Sequence, residues 1–103
     1  CSGTCEEASY EDLLGAGALA HALWDKFAQG RVADSAQIAR STYLSAQNDL
    51  LGAMQFARNG RRLLDIPELH DDVSFCLQRD VFPVVANMGD DGKITSSTAA
   101  KYK

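Results

Sequence analysis

The chain has 103 residues, a formal net charge of −4 at pH 7, and 46% hydrophobic and 23% charged residues. That length is one domain, enough to bury a single core but not a core plus a large internal ligand pocket. Net acidity argues against nucleic acid as the main partner, and the longest apolar run, 13–24, is too short to span a bilayer and contains His21.

Residues 1–8, CSGTCEEA, read as a flexible leader. A first residue Cys instead of Met points to a processed or truncated product. Cys followed by Ser and Gly is also what a bacterial lipoprotein shows once its signal is removed, which would place the domain on a membrane surface. Helix one is predicted to start at Ser9, where Ser9 and Asp12 form a variant capping box. Leu13, Ala16, Ala20, Leu23 and Phe27 share one face, with Trp24 beside it. Gly15 and Gly17 each cost a helix about 1 kcal/mol relative to Ala, but small residues here let another backbone approach closely. Gly30 is a natural stop.

After a turn at 31–33, the stretch 34–58 reads as one helix, ~37 Å long at 1.5 Å per residue. Ala36, Ala39, Tyr43, Ala46, Leu50, Ala53 and Ala57 recur at gaps of three and four, which keeps a narrow stripe on one side. Asn59-Gly60 reads as the C-cap. Arg58, Arg61 and Arg62 then sit at the negative end of the helix dipole, or form a docking patch for an acidic partner. Helix three opens with Asp65-Ile66-Pro67-Glu68, a cap with Pro in the first turn. Leu69, Val73, Cys76 and Leu77 share its face, and Pro83 ends or kinks it. Val84, Val85 and Ala86 suggest one more helical piece. From Gly89 onward the pattern is lost, no strand pair is evident, and an extended arm is expected.

Charge is unevenly placed. Residues 31–64 carry five bases, all Arg, and two acids, whereas 65–91 carry seven acids and one base. Pairing of these two segments inside the fold is the plain reading. Cys1, Cys5 and Cys76 leave either three reduced thiols or a bridge from Cys5 or Cys1 to Cys76, which by chain entropy is worth roughly 4 kcal/mol and implies an oxidising compartment.

The chemical motifs are weak. Residues 15–20 match G-x-G-x-x-A, but the dinucleotide fingerprint needs a hydrophobic strand before it, and 9–12 are polar. Asp91-Gly92-Lys93-Ile94 has the middle of a calcium loop but lacks two of its carboxylates, so a plain turn is expected. His21 lies four residues from Asp25, and His70 adjoins Asp71 and Asp72, but no zinc-ligand spacing brings three or four ligands together. No nucleophile elbow, phosphate loop or zinc-protease signature is present. A small enzyme would need His21, His70 or Cys76 to converge.

Gln47-Asn48-Asp49-Leu50, followed by Phe56 and Arg58 and preceded by Tyr43, resembles the second helix of the PsbQ-type extrinsic proteins of photosystem II. The resemblance covers about twelve residues. It implies a lumenal helical-bundle subunit that docks on a membrane-embedded photosynthetic core, supports oxygen evolution and has no catalytic residues of its own.

The expected fold is therefore all-α, a small up-down bundle of three main helices with an extended C-terminal arm. The expected layout is a leader at 1–8, a helical domain at 9–88 and a tail at 89–103. The expected function is a non-catalytic accessory subunit of a larger membrane-associated assembly, without metal or cofactor. It would meet its protein partners through Arg58, Arg61, Arg62, Trp24 and Phe82. The alternative is a periplasmic or lipid-anchored binding module of the inhibitor or immunity type. Either reading places the chain outside the cytosol, in the thylakoid lumen or the periplasm.

Overall fold

The computed structural model describes residues 5–27, 29 and 31–98. Helix α1 runs Tyr10–Phe27, with Glu11 and Asp12 in its first turn and Lys26 in its last, the order that complements the helix dipole. Ser9 sits just before it, buried, and its carbonyl oxygen accepts the Leu13 N–H at 3.1 Å. The face that α1 buries is narrower than the expected apolar stripe. Leu14 and Gly17 are buried, whereas Leu19, Leu23 and Phe27 are exposed. Gly17 marks the closest approach to the next helix: a Cβ built there would fall 2.7 Å from the Tyr43 Cβ and closer still to the Ala39 carbonyl oxygen. The small-residue expectation for α1 is met at this one position.

The single helix expected over 34–58 is broken. Helix α2 runs Asp34–Ala46, and α3, Leu50–Ala53, begins after a gap at 47–49. A 3₁₀ turn follows at Met54–Phe56, and then helix α4 at Arg58–Leu64. The cause of the break is local. Asp49 leaves the helical region at φ −150°, and its carboxylate accepts the Gly52 N–H at 2.9 Å. An Asp that hydrogen-bonds a backbone N–H three residues on starts a helix instead of continuing one. Even so, the stripe stays inside. Ala39, Tyr43, Ala46, Ala53 and Ala57 are buried, and Ala36 and Leu50 are half-buried. Asn59-Gly60 opens α4 and does not cap a preceding helix. Gly60 lies where an added Cβ would come within 2.5 Å of the Met54 carbonyl oxygen, so α4 rests directly on the 3₁₀ turn.

Helix α5, His70–Cys76, follows a run of turns at 65–69 and ends well before Pro83. Asp80 takes a left-handed φ of 56°, which Asp tolerates better than most residues. The chain then enters a β-hairpin. Strand β1, Val84–Met88, pairs antiparallel with β2, Ile94–Thr98, in the register Val84↔Thr98, Ala86↔Ser96 and Met88↔Ile94. The loop is a plain turn. The Gly92 N–H reaches the Gly89 carbonyl at 3.0 Å, the Lys93 N–H reaches the Asp91 carboxylate at 3.0 Å, and Gly92 has φ +77°. Two expectations fail here: the helical piece at Val84, Val85 and Ala86, and the patternless arm over 89–98; residues 99–103 of the expected tail lie outside the described residues. Among the described residues the fold is mixed α and β, five helices and a two-stranded sheet, not an all-α bundle of three long helices.

The core gathers Leu14 from α1, Ala46 from α2, Ala53, Met54 and Ala57 from the middle segments, and Val73 from α5. Tyr10, Leu50, Leu64 and Leu77 pack around it. Among the described residues no helix is long and apolar enough to cross a membrane.

Candidate functional site

Two cavities adjoin along one wall. The first, about 410 Å³, lies between α1, α2, α4 and α5, and most of its lining is apolar, including Leu14, Leu50, Met54, Leu63, Val73 and Leu77. Its polar residues include Tyr43 and Arg79. Tyr43 is the largest fully buried side chain; its hydroxyl accepts from Arg79 Nη1, and the Arg79 guanidinium carbon stands 5.5 Å from the ring centroid. The second cavity, about 260 Å³, is polar, with Glu7, Ser9, Glu11, Arg58, Asn59 and Arg61 in its lining. Glu11 and Asn59 line both, and the Asn59 side-chain amide donates to Glu11 Oε1 at 2.7 Å. That bond ties the start of α1 to the start of α4.

The polar cleft owes its charge to helix spacing. Arg58, Arg61 and Arg62 stand at i, i+3 and i+4 along α4, so they share a face. Arg58 Nη1 pairs with Glu7 Oε2 from the N-terminal segment. Arg61 Nη1 reaches the Gln55 carbonyl at 3.4 Å. Arg62 faces a shallow hollow bounded by Cys5, Glu6, Glu7 and Arg58. The Arg58–Glu7 pair is open to solvent, with side chains 49% and 70% exposed. An exposed pair of this kind contributes about 0–1 kcal/mol, so an anion with more negative charge can displace Glu7 at small cost. The pairing also departs from the expected one, since the Arg-rich middle meets the acidic N-terminal segment here.

The remaining sequence candidates are scattered. Trp24 is half-buried and lies under the Arg40 guanidinium, 4.4 Å from the ring centroid, so a cation within the chain already covers it. Phe82 is exposed and meets Phe75 edge-on at 6.5 Å between centroids. Neither lines the Arg cleft. His21 accepts from Arg40 Nε at 3.3 Å and its ring lies tilted against that of Tyr43, 5.9 Å between centroids, while His70 stays on the surface beside Asp71. Among the described residues no three His, Cys, Asp or Glu side chains converge to hold a metal. Cys5 and Cys76 are both free and exposed, so the bridge between them is not formed; Cys1 lies outside the described residues. Sequence reasoning missed Glu7, Glu11 and Asn59. In sequence Glu7 falls in the leader 1–8 and Asn59 in the expected C-cap. The one available signal was the excess of acids in 1–30, five against one base, next to an Arg-only middle.

The model of the 2-phosphosulpholactate phosphatase family matches residues 1–91. The chain belongs to that family. A probable 2-phosphosulfolactate phosphatase of Nostoc punctiforme is 32% identical over 92 residues, covering 85% of this chain and 37% of the relative. The one from Trichormus variabilis is 36% identical over 89 residues, 81% of this chain and 36% of its own length. A probable 2-phosphosulfolactate phosphatase of Pseudothermotoga lettingae is 31% identical over 85 residues, 82% of this chain and 36% of its own length. The chain thus spans about a third of the length of the curated relatives it matches. No solved structure matches significantly.

This family membership overturns the photosystem II reading. The Gln47-Asn48-Asp49-Leu50 motif that carried the resemblance falls at the helix break, not inside a long second helix. A dozen residues of amphipathic pattern recur by chance, and a match over 91 residues outweighs them. The relatives are named for an enzyme acting on a small organic phosphate, so the non-catalytic accessory subunit, its expected protein partners and the alternative binding module are all set aside.

Proposed function

We propose that this chain forms part of a phosphatase that hydrolyses the phosphate ester of 2-phosphosulfolactate. The observation that carries the reading is the family match across residues 1–91. In the reaction, water adds to phosphorus, the bond from phosphorus to the ester oxygen breaks, and the products are inorganic phosphate and the 2-hydroxy sulfonate. By its name the substrate carries a carboxylate, a sulfonate and a phosphate on three carbons. The phosphate alone contributes about −1.5 to −2 at pH 7.

Such a ligand needs fixed cations, and the Arg face of α4 suits it. Arg58 and Arg61 line a cleft sized for a small molecule, and a guanidinium offers paired N–H donors to phosphate, sulfonate or carboxylate oxygens. The Glu7 carboxylate on Arg58 stands where an anionic group of the substrate would bind. Asn59, held by Glu11, fixes the register of α4 against α1 and so the direction in which Arg58 points. The assignment to Arg58 and Arg61 is testable in a full-length chimera, the Nostoc punctiforme relative with its matched segment replaced by this chain. Phosphate release from 2-phosphosulfolactate is the assay. Replacing Arg58 or Arg61 by Gln removes a charge-assisted contact worth about 1.5–3 kcal/mol, so KM should rise about 10- to 150-fold. A folded chimera that releases no phosphate would refute the activity. Unchanged KM in both variants would refute the role of the Arg face alone.

A further inference from the structure

The apolar cavity between α1, α2, α4 and α5 takes no part in the proposed phosphatase site, and the chemistry of its wall is different. Most of its lining is apolar, and its volume of about 410 Å³ falls within the range of small-molecule sites. Short residues make the room: Gly15, Ala18 and Gly60 line it, and a Cβ at Gly15 would meet nothing within 4 Å. One end is polar. Tyr43 is buried, its hydroxyl accepts from Arg79 Nη1, and the guanidinium carbon stands 5.5 Å from the Tyr43 ring centroid. These two contacts hold the guanidinium at the cavity, yet among the described residues no carboxylate pairs with it. A guanidinium has five N–H donors, and Tyr43 takes one. The acids of the lining stand elsewhere. Glu11, which accepts from Asn59, lies ~9 Å along α1 from Gly17, the residue that meets Tyr43. Asp72 is in the first turn of α5, whereas Arg79 follows the end of that helix.

We propose that this cavity binds a small amphipathic carboxylate, with its apolar body against Leu14, Leu50, Met54 and Val73 and its carboxylate on Arg79. The occupant follows from the two parts of the wall. An apolar body gains by leaving water for an apolar lining. A planar guanidinium, already oriented and with donors to spare, matches a carboxylate bidentately. The three-carbon substrate of the phosphatase reaction has no such body, so this is a second site. The inference depends neither on the phosphatase activity nor on the Arg face of α4.

Octanoate is the probe, and Cys76, free, exposed and in the lining, is the reporter. In the 103-residue chain carrying Cys1→Ser and Cys5→Ser, Cys76 is the one remaining thiol. Saturating octanoate should slow its reaction with Ellman's reagent about tenfold or more, because a covered thiol exchanges slowly. The Kd should lie below about 1 mM, and Tm should rise by linkage. Butyrate, shorter by four methylenes, should bind at least about tenfold more weakly, since each buried methylene is worth roughly fourfold. Octanol on the parent, and octanoate on Arg79→Gln, should each bind about tenfold or more weakly, for want of the charge-assisted contact. Octylammonium should bind more weakly still; the chain is net negative at −4, so overall charge cannot produce a preference for the anion. Gly15→Leu places a side chain in the open space of the cavity and should abolish binding while melting at or above the parent. No saturable protection of Cys76 by octanoate up to about 10 mM would overturn the proposal. So would equal affinities for octanoate, octanol and octylammonium, or a folded Gly15→Leu variant with the parental Kd. The three octyl probes are compared on the same protein, so their ranking decides the matter even where a cavity variant does not fold.

Discussion

The contact between α1 and α2 turns on one missing methyl group. Gly17 and Gly15 lie two residues apart on α1, and alanine at either position gains helix propensity, about 1 kcal/mol. Their surroundings differ completely. A Cβ at position 15 meets nothing within 4 Å. At position 17 it would fall 2.7 Å from the Tyr43 Cβ and closer to the Ala39 carbonyl, where carbon atoms normally rest about 3.5–4.0 Å apart. Neither neighbour is the far end of a flexible side chain, so α1 and α2 must separate by roughly 1 Å. Overpacking of this kind costs typically 1–3 kcal/mol and occasionally more. Because the obstacle includes backbone, the upper end applies, and the net loss for Gly17→Ala is about 2 kcal/mol. In a domain of this size 1 kcal/mol moves Tm by about 4–8 °C. Thermal melts followed at 222 nm should show Gly15→Ala melting about 4–8 °C above the parent and Gly17→Ala melting roughly 8–16 °C below it. If both variants melt higher, α1 and α2 do not meet at Gly17, and the arrangement of the core described here is wrong.

Three smaller predictions follow from local geometry. Asp49→Ala removes the carboxylate that caps Gly52 and should cost about 0.5–2 kcal/mol in urea unfolding, whereas Asn48→Ala, one residue earlier, should cost less than half of that. Gly92→Ala forces a side chain into φ +77° and should destabilise the hairpin by about 1 kcal/mol, seen as faster amide exchange in β1 and β2 with α1 unaffected. In a Cys1→Ser variant both remaining thiols should react with Ellman's reagent in the native state, and a reductant should not change the melting temperature. A reductant-induced drop of roughly 15–30 °C would instead reveal the long-loop bridge.

How much of this was legible depends on how far a signal reaches along the chain. The i, i+3, i+4 stripe through Ala39, Tyr43, Ala46, Ala53 and Ala57 marked the buried residues because burial is read from periodicity, which a small reset in phase does not erase. Helix continuity could not be read the same way. Asn48-Asp49 is both a tolerable helix interior and a good N-cap, and Gly52 offered the amide that tips the balance. The hairpin escapes a sequence reading because its two faces hardly differ: Val84, Ala86, Met88 and Ile94 share one with Ser96 and Thr98, and Val85 shares the other with Asn87, Thr95 and Ser97, so no clean alternation of apolar and polar residues marks the strands. Asp90-Asp91-Gly92 was the usable clue, a turn with glycine at the left-handed position. Membership of the phosphatase family left no local motif that a reading of the residues alone could recognise. Anion recognition by arginines has no fixed spacing beyond sharing a helix face, and a docking patch or a dipole effect looks the same in sequence.

The position of Arg58 separates those readings. Read as the end of a long helix, Arg58 would lie where the dipole favours a cation, and no further explanation would be needed. The structure makes it the first residue of α4, the end where a cation is disfavoured, while Arg61 and Arg62 keep the favourable end. Helix electrostatics therefore account for two of the three arginines and oppose the third. What offsets the cost at Arg58 is Glu7, reached across 51 residues of sequence and largely in water, a pair too weak to explain the arginine by stability alone. An arginine placed against its helix and held by a carboxylate that is easily displaced has the properties of a binding group waiting for a stronger anion. Of the three, Arg58 is the one whose replacement should separate substrate affinity from fold stability most cleanly. Arg58→Gln should leave Tm within a few degrees of the parent while KM rises about 10-fold or more. A large loss of Tm with unchanged KM would return Arg58 to a purely structural role.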